Sequence, residues 1–284
     1  MKPIAPRTFG DFGIDQLAAK PIVSKSIHVN VDHNGMTYLR FHGLENVDSV
    51  SHAVFTRRGG LSRGLYSSLN SSFGVGDKPE RVEGNRRMIQ KTLGAGELVF
   101  CRQVHGTDVR IVSAFPDDRA QKRKGIPPVA DALVTNVPGQ FLVIQVADCQ
   151  PVMVHDPVRK VVANIHSGWR GSIRNVIGRT VQIMAETFGS VENDLLAGIG
   201  PSLGPCCAEF VNYRSEIPRP FWVYKTKNNH FDFWALSRDQ LLTAGLVREH
   251  IYSSNLCTRC RTDLFYSYRG EGKTGRFAAV IGLR

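Results

Sequence analysis

Apolar and polar residues alternate along the first part of the chain. Residues 26–41 contain the segments IHVNV and MTYLRF on either side of the turn sequence HNG, which predicts two strands joined by a tight turn. A strand ending at Thr56 and a long Gly/Ser-rich loop follow, and a loop of that length in a compact protein is usually functional. Residues 79–93 have helical spacing, with Asp77 as the expected N-cap.

The rest of the pattern contains more strands than helices. Because the strands do not alternate strictly with helices, we expect an α+β fold, a single-domain layered α/β sandwich with mixed sheets flanked by helices. No Pro/Gly-rich linker divides the chain, so we predict a lead-in of residues 1–27 and a single catalytic domain of residues 28–284. The elements predicted after residue 93 are two short strands within 97–112, apolar strands over 141–156 and from 160, a helix over 173–188, a strand from 195, a helix over 233–246 and a buried strand over 274–283.

Charge and composition narrow the location and the partners. No apolar run is long enough for a membrane helix or a secretory signal, so we expect a cytoplasmic protein that does not bind membranes. The formal net charge of +11 would suit nucleic acid or a small anion. The basic residues are scattered, however, and the densest cluster, Lys122–Lys124, falls in a predicted loop. We therefore expect no nucleic-acid partner, and the oligomeric state stays open.

Three residues at strand ends could form a metal site. His105 lies between two short strands, Cys149 follows an apolar segment, and His166 ends the next strand. Two imidazoles and one thiolate are a zinc-type ligand set, and three protein ligands leave a fourth position for water or substrate. The spacing is not a compact metal motif, and each residue alone could equally be a core or turn residue.

The remaining cysteines are less informative. Cys257 and Cys260 form one C-x-x-C pair, which without a partner pair is weak evidence for metal. Cys206 and Cys207 are adjacent, so we expect that only one of them points into a site.

The chain resembles the YfiH-like laccase-domain family over about residues 50–284. That family was first described as multicopper polyphenol oxidases and is now associated with purine nucleoside phosphorylase and adenosine deaminase activity. The resemblance is carried by the ordered segments FTRRGGLSRGLYSSLN, VGDKPERVEGNRR, QVHG, ADALVTNVPG, VADCQPV, HSGWRGS, IGPSLGPCCAEF and DLFYSYRGEGKTGRFAAVIGL.

The resemblance implies roles for particular residues. It implies that His105, Cys149 and His166 bind the metal, with Zn²⁺ expected in preference to copper. It implies substrate or phosphate contacts at Arg57, Asn70 and Arg170, although both arginines could instead form internal ion pairs. We add Gln103 and Cys207 as predicted substrate contacts.

Two reactions follow from such a site. Activation of water by the metal would suit deamination of adenosine, with Asp148 handling the proton. Asp148 and Cys149 can share the site only if the backbone bends, since successive strand residues face opposite sides. Phosphate held by Arg57 or Arg170 would instead attack C1′ of adenosine, inosine, guanosine or methylthioadenosine.

Other functions remain open at this point. Cys149 and His166 could act as nucleophile and base of an amidohydrolase acting on a cell-wall precursor, a process to which similar proteins have been linked. One cysteine and two histidines also resemble a blue-copper ligand set, but multicopper oxidases need more histidines than the nine present. Alkylation of Cys149 with and without metal would separate the hydrolase from the metalloenzyme.

Overall fold

The structure is a computed structural model that describes residues 25–45, 49–113 and 127–284. The predicted loop cluster Lys122–Lys124 and most of the predicted lead-in lie outside the described residues. The division into a lead-in of residues 1–27 and one domain of residues 28–284 therefore stays a prediction.

The described residues form two six-stranded sheets with helices on their outer faces. The strands are β1 Ile27–Val31, β2 Thr37–Phe41, β3 Val50–Phe55, β4 Glu97–Phe100, β5 Val109–Ile111, β6 Ala132–Thr135, β7 Gln140–Val146, β8 Gln150–Asp156, β9 Val161–Ser167, β10 Leu196–Ile199, β11 Ile251–Ser253 and β12 Phe277–Leu283. The helices are α1 His42–Glu45, α2 Pro79–Leu93, α3 Trp169–Ile173, α4 Val176–Phe188, α5 Tyr213–Glu216, α6 Phe233–Thr243 and α7 Tyr268–Glu271. Short 3-10 helices cover Gly64–Tyr66, Phe73–Val75, Glu192–Asp194, Arg219–Tyr224, Lys227–Asn229 and Arg248–His250.

Both sheets are mixed. The first has the order β1-β2-β3-β12-β7-β4, and the second has the order β11-β10-β8-β9-β6-β5. The pairs β4–β7, β5–β6 and β10–β11 are parallel, and the other pairs are antiparallel. This arrangement confirms the α+β sandwich with mixed sheets.

The layers are held together by apolar side chains on alternate strand positions. One core lies between the sheets and includes Leu142, Ile144 and Met153. The opposite face of the first sheet packs on α2, and the opposite face of the second sheet packs on α4 and α6. In the middle, the Asn164 side chain donates hydrogen bonds to the carbonyls of Leu142 and Ala279, so a buried amide links the two sheets.

Several sequence predictions are confirmed with their boundaries. The first two strands pair in an antiparallel hairpin, and α2 covers residues 79–93. Its predicted cap was wrong. The N-cap is Lys78. One Asp77 carboxylate oxygen accepts from the Lys78 N–H and the other from the Asn70 amide, so this carboxylate binds the preceding loop and does not cap the helix.

The single strand expected over 141–156 was also wrong. It is two strands, β7 and β8, separated by the connection 147–149. The apolar pattern runs through the break because both strands are buried, so hydrophobicity alone does not mark the turn. The helix expected over 173–188 begins at Val176, after the separate short helix α3 and the capping residue Asn175. The last strand, β12, lies in the middle of its sheet between β3 and β7.

Candidate metal centre and its cleft

The two sheets bring the three predicted ligands together. His105 lies in the connection between β4 and β5, Cys149 in the turn before β8, and His166 in β9, where it pairs with Pro151 of β8. The Cys149 Sγ lies 3.6 Å from the His105 Nε2, and the ligand atoms of all three residues lie within 4.8 Å of one another. The two imidazole rings are nearly perpendicular, with centroids 4.9 Å apart.

Asp131 orients two of the three ligands. Its carboxylate accepts a hydrogen bond from the His166 Nδ1 at 2.8 Å, which leaves the Nε2 of that ring for a metal. It also accepts the backbone N–H groups of His105 at 2.8 Å and Gly106 at 2.7 Å. His105 itself has a φ of 61°, a left-handed conformation that is uncommon for a residue with a side chain. Sequence reasoning missed Asp131, although it lies in the quoted ADALV segment.

The buried charges favour a thiolate beside an imidazolium when no metal is bound. Burial alone would raise the pKa of Cys149, but the His166 charge and the His105 hydrogen bond outweigh it and lower that pKa to about 6. Burial alone would lower the pKa of His166, but Cys149 and Asp131 outweigh it and raise that pKa to about 9. Asp131 is also buried, yet its bonds to His166 and Gly106 lower the pKa of its carboxyl. The site is therefore prepared for a cation.

Gly168 allows His105 and Cys149 to approach each other. A Cβ atom at this position would lie 2.6 Å from the His105 Cδ2 and 3.2 Å from the Cys149 Sγ. A side chain cannot be placed that close to two ligands without displacing one of them. The glycine of HSGWRG is thus part of the site, and sequence reasoning did not single it out.

The backbone bends at Asp148, as the sequence analysis required. Asp148 has a φ of 85°, and both Asp148 and Cys149 line the same cleft. The Asp148 carboxylate accepts hydrogen bonds from the Thr258 hydroxyl at 2.6 Å, the Ser267 hydroxyl at 2.7 Å and the Arg269 N–H at 2.6 Å. Three donors fix the position of this carboxylate.

The ligands open into a cleft of about 1130 Å³. A volume of this order accommodates a small organic ligand. Aromatic rings and guanidinium groups are both present in its lining. The aromatic residues had not been predicted there, and the arginines are not the predicted Arg57 and Arg170. The aromatic residues are Phe73, Trp169, Phe210, Phe233 and Tyr268, and the arginines are Arg86, Arg102, Arg269 and Arg276.

Most of the other predicted contacts lie elsewhere. Among the predicted substrate contacts, only Gln103 lines the cleft, and its side-chain amide both donates to and accepts from the backbone of Gln145. The Arg57 guanidinium forms an ion pair with Glu271 at 2.7 Å and lies over the Tyr266 ring. The structure thus supports the internal ion pair that the sequence left open for this arginine.

Asn70, Arg170 and Cys207 are also absent from the cleft lining of the described residues. Asn70 is fully buried, and its side-chain oxygen accepts the backbone N–H of Arg276, so it positions that arginine. The Arg170 guanidinium lies over the Trp169 ring. The Cys207 thiol lies in a cluster with three other cysteines. The expectation that only one of the adjacent cysteines points into such a site was wrong, because Cys206 belongs to the same cluster.

The donor set fits a tetrahedral metal ion. Zinc–sulfur bonds of about 2.3 Å and zinc–nitrogen bonds of about 2.0–2.1 Å place the two ligand atoms about 3.6 Å apart in tetrahedral geometry. The Cys149 Sγ and the His105 Nε2 are 3.6 Å apart. Asp131 supplies the carboxylate–histidine contact that commonly orients a ligating imidazole.

Two imidazoles and one thiolate in a cleft of an α+β sandwich define this protein as a candidate mononuclear metalloprotein. The chain belongs to the multi-copper polyphenol oxidoreductase laccase family, whose family model matches residues 51–284. It is 32% identical over 256 residues to a purine nucleoside phosphorylase of Bacteroides thetaiotaomicron, covering 86% of this chain and 95% of that one. It is 34% identical over 243 residues to the purine nucleoside phosphorylase YlmD of Geobacillus stearothermophilus, covering 81% and 88% of the two chains.

Solved structures agree with this assignment. The crystal structure of the Bacillus licheniformis hypothetical protein YfiH has a TM-score of 0.79 at 30% identity, covering 90% of this chain and 99% of that one. The crystal structure of YlmD from Geobacillus stearothermophilus has a TM-score of 0.77 at 33% identity, covering 87% and 96%. The family resemblance predicted from the motifs is confirmed.

None of the helices in the described parts of the chain combines the length and the apolar character needed to cross a lipid bilayer.

Proposed function

We propose that this protein is a zinc-dependent purine nucleoside enzyme that uses phosphate to cleave adenosine, inosine, guanosine or methylthioadenosine, and that also deaminates adenosine. The observation that carries the proposal is the juxtaposition of His105, Cys149 and His166 at one wall of a cleft lined by arginines and aromatic rings. The relatives named purine nucleoside phosphorylase support the reaction class. The cytoplasmic location and the absence of nucleic-acid and membrane partners stay predictions.

Two imidazoles and a thiolate would hold zinc and leave one position open to the cleft. Zinc bound there would supply Lewis acidity towards a substrate oxygen or nitrogen, or towards water. The protein fixes the ligands beforehand, since Asp131 holds His166 through a hydrogen bond and His105 through its backbone N–H. A ligand set that is held in place needs little reorganisation when charge develops on the substrate.

The arginines of the cleft suit phosphate. Arg276 is the best placed, because it interacts electrostatically with both Cys149 and Asp148. Its backbone is held by Asn70, whose side chain accepts the Arg276 N–H at 2.9 Å, and by Ser71, whose N–H donates to the Arg276 carbonyl at 3.0 Å. Guanidinium groups bind two phosphate oxygens at once, which would orient the anion towards C1′ of the nucleoside.

Arg86 is a second candidate for phosphate. Its guanidinium lies over the rings of Phe73 and Phe100, at 4.3 and 3.7 Å from their centroids. Burial lowers the pKa of Arg86 to about 10, which still leaves the group charged at neutral pH. A partly desolvated cation in an apolar surrounding attracts an anion more strongly than one in water.

The purine would lie among the aromatic side chains. Trp169, Phe210 and Phe233 belong to one apolar cluster that forms a wall of the cleft. Aromatic rings of this kind stack on a planar base. Asp148 lies at the same cleft with its carboxylate fixed by three donors, so it would accept a proton from, or return one to, the reacting base without moving.

The proposal is tested on purified protein whose zinc content has been measured. Adenosine is incubated with and without inorganic phosphate, and the products are separated by chromatography. We expect adenine only with phosphate, inosine with or without it, and loss of both products in Cys149→Ala and in chelator-treated protein. Products that persist in both preparations would exclude the metal centre from the reaction, and the absence of product from zinc-replete protein would reject the function.

Variants of arginine separate the phosphate site from the fold. Arg276→Ala should raise the KM for phosphate about tenfold or more, with a smaller effect on deamination, because only phosphorolysis needs the anion. Arg87→Ala, which changes an exposed arginine outside the cleft, is the matched control. An unchanged KM for phosphate in Arg276→Ala would remove Arg276 from the proposed anion site.

A cysteine amidohydrolase is the second candidate function. The observation in its favour is the lowered pKa of Cys149, about 6, beside His166, because a thiolate next to an imidazolium is also a nucleophilic pair. Iodoacetamide and peptide mapping distinguish the two functions. A zinc ligand should be protected in the metal-loaded protein and alkylated after chelation, whereas rapid alkylation of Cys149 in both states would favour the hydrolase.

A further inference from the structure

A second group of potential metal ligands lies apart from the three described above. Cys206, Cys207, Cys257 and Cys260 place all four Sγ atoms within 4.8 Å of one another. The Cys260 Sγ lies 3.6 Å from that of Cys206 and 3.6 Å from that of Cys207. All four are free thiols. We name this group the four-cysteine cluster.

The sheet explains why two pairs so distant in sequence meet. β10 and β11 are parallel neighbours, so their carboxyl ends lie at the same edge of the sheet. The Cys206–Cys207 pair follows β10, and the C-x-x-C pair follows β11. Beyond the strands, the Ser202 N–H donates to the Leu256 carbonyl and the Thr258 N–H to the Ser202 carbonyl, which continues the parallel pairing up to the cysteines.

The geometry suits one tetrahedral ion. Zinc–sulfur bonds of about 2.3 Å place the sulfurs of a tetrahedral four-cysteine site about 3.8 Å apart. The two Sγ–Sγ separations of 3.6 Å are close to that value, and Cys260 is equally near to two partners, where a disulfide would select one of them. Cys206 and Cys260 are exposed whereas Cys207 and Cys257 are buried, so an ion could reach the cluster from solvent and be held against the core.

We propose that the four-cysteine cluster is a second metal site, a closed structural site that binds one zinc ion through four thiolates. Four protein ligands leave no open position, which is the pattern of structural rather than catalytic zinc. Binding replaces the thiol protons by the metal, and those protons pass to solvent. This site does not depend on the proposed nucleoside activity.

A zinc ion in the four-cysteine cluster would also stabilise the cleft that contains the first metal site. Thr258 lies between the two cysteines of the C-x-x-C pair, and its hydroxyl donates to the Asp148 carboxylate at 2.6 Å. Leu203, on the segment that leads to Cys206, donates its N–H to the Asp148 carbonyl at 2.9 Å. An ion that ties these two segments together would therefore fix the bend at Asp148, next to the ligand Cys149.

The test counts zinc in the full chain, purified under reducing conditions in the presence of zinc and then freed of loosely bound metal. We expect two zinc ions per wild-type chain and one in the Cys206→Ser/Cys260→Ser double variant, which changes only the two exposed thiols. The matched control, Cys149→Ser, should also bind one ion, but at the four-cysteine cluster. If His105, Cys149 and His166 do not bind zinc, the wild-type protein would contain one zinc ion. Cys149→Ser would keep that ion, and the double variant would lose it.

Cobalt substitution gives an independent readout, because the charge-transfer absorption in the near ultraviolet grows with the number of coordinated thiolates. Four of the five ligating thiolates belong to the cluster, so the double variant should lose about four fifths of that absorption, whereas Cys149→Ser should lose about one fifth. Melting curves of each variant show whether it is folded.

Two results would overturn the proposal. One is a wild-type zinc content equal to that of a folded double variant. The other is a disulfide within the cluster in protein kept under reducing conditions, recognised by an intact mass lower by two hydrogens and by slow alkylation that zinc does not alter.

Discussion

Two of the three candidate metal ligands depend on neighbours whose roles cannot be read from the motifs that contain them. The hydrogen bond from the His166 Nδ1 to Asp131 leaves the Nε2 of that ring free for a metal. The missing side chain at Gly168 leaves space for His105 beside Cys149. The ligands themselves could be predicted, because strand ends and the family motifs point to them. Asp131 could not, since its contacts with His105 and His166 cross 26 and 35 residues of chain and arise only when β6 pairs with β5 and with β9.

Replacing the Asp131 carboxylate should weaken metal binding. In Asp131→Asn the His166 ring loses a charged partner, and the amide cannot accept on both of its terminal atoms, so one of the backbone N–H groups of His105 and Gly106 loses its bond. We expect zinc affinity at this site to fall about 10–100-fold, the usual effect of removing such a partner. Competition with a chromophoric chelator measures it. Asp194→Asn, which lies outside the cleft lining, should keep the wild-type affinity, and an equal loss in both variants would contradict a specific role.

Adding one methyl group at Gly168 should displace a ligand. The new Cβ would stand 2.6 Å from the His105 ring, so Gly168→Ala should lower zinc affinity at least about tenfold. Gly74→Ala is the steric control, since a Cβ there meets nothing closer than 3.8 Å although Gly74 also lines the cleft. The same chelator titration tests both variants. Wild-type affinity in Gly168→Ala would show that the two ligands tolerate a wider separation.

At the level of elements, the pattern of residues predicts β1, β2 and α2 well because each has one consistent periodicity. It does not separate β7 from β8, because both strands are buried on both faces. The long Gly/Ser-rich loop after β3 takes its conformation from contacts with another element. Its structure depends on Asn85 of α2, which is fully buried. The Asn85 side chain accepts the Leu61 N–H and donates to Ser62, Ser68 and Asn70.

Removing this anchor should loosen the loop. Asn85→Ala leaves several buried polar groups without partners, so we expect the free energy of unfolding to fall by about 3 kcal/mol. Because Ser72 and Phe73 of the same loop line the cleft, the KM values for the proposed nucleoside substrates should rise as well. Urea denaturation measures the first effect. Arg87→Ala on the exposed side of α2 is the control and should cost less than about 0.5 kcal/mol. A similar loss in both would mean that the loop is held by other contacts.

On the scale of the whole molecule, two histidines lie between the sheets. His52 of β3 and His155 of β8 share strand faces with core residues of the inter-sheet layer, Val50 and Met153 among them. Burial, with smaller contributions from Arg40, His155 and Arg284, lowers the pKa of His52 to about 3. Burial also lowers the pKa of His155 to about 4, although Asp156 opposes the shift. The Phe41 N–H donates to His52, whereas neither ring nitrogen of His155 has a partner among the described residues.

These histidines should make the fold sensitive to mild acid. Both folded-state pKa values lie below the value of about 6.5 expected in the unfolded chain, so the unfolded state binds more protons below pH 6.5. Stability should therefore decrease as the pH falls from about 6.5 to about 4. Each histidine contributes about 2 kcal/mol to the loss between pH 7 and pH 5.

Urea denaturation at several pH values measures this dependence. His155→Leu removes a ring without hydrogen-bond partners, so it should remain folded and should reduce the loss between pH 7 and pH 5 by about 2 kcal/mol. His33→Leu at an exposed position should keep the wild-type pH dependence. A pH dependence unchanged in His155→Leu would mean that this histidine does not titrate differently on unfolding.

The sequence by itself determined the strands with clear alternation, the main helices and the family, and it predicted the three candidate ligands of the first metal site. These depend on local periodicity and on short motifs, which need no knowledge of distant neighbours. Only the tertiary structure decided that Arg276 and Arg86 line the cleft while Arg57 pairs with Glu271. It also decided that Cys206 and Cys207 meet Cys257 and Cys260. The physical reason is the same in each case, because strand pairing and sheet packing set the distances between residues far apart in sequence.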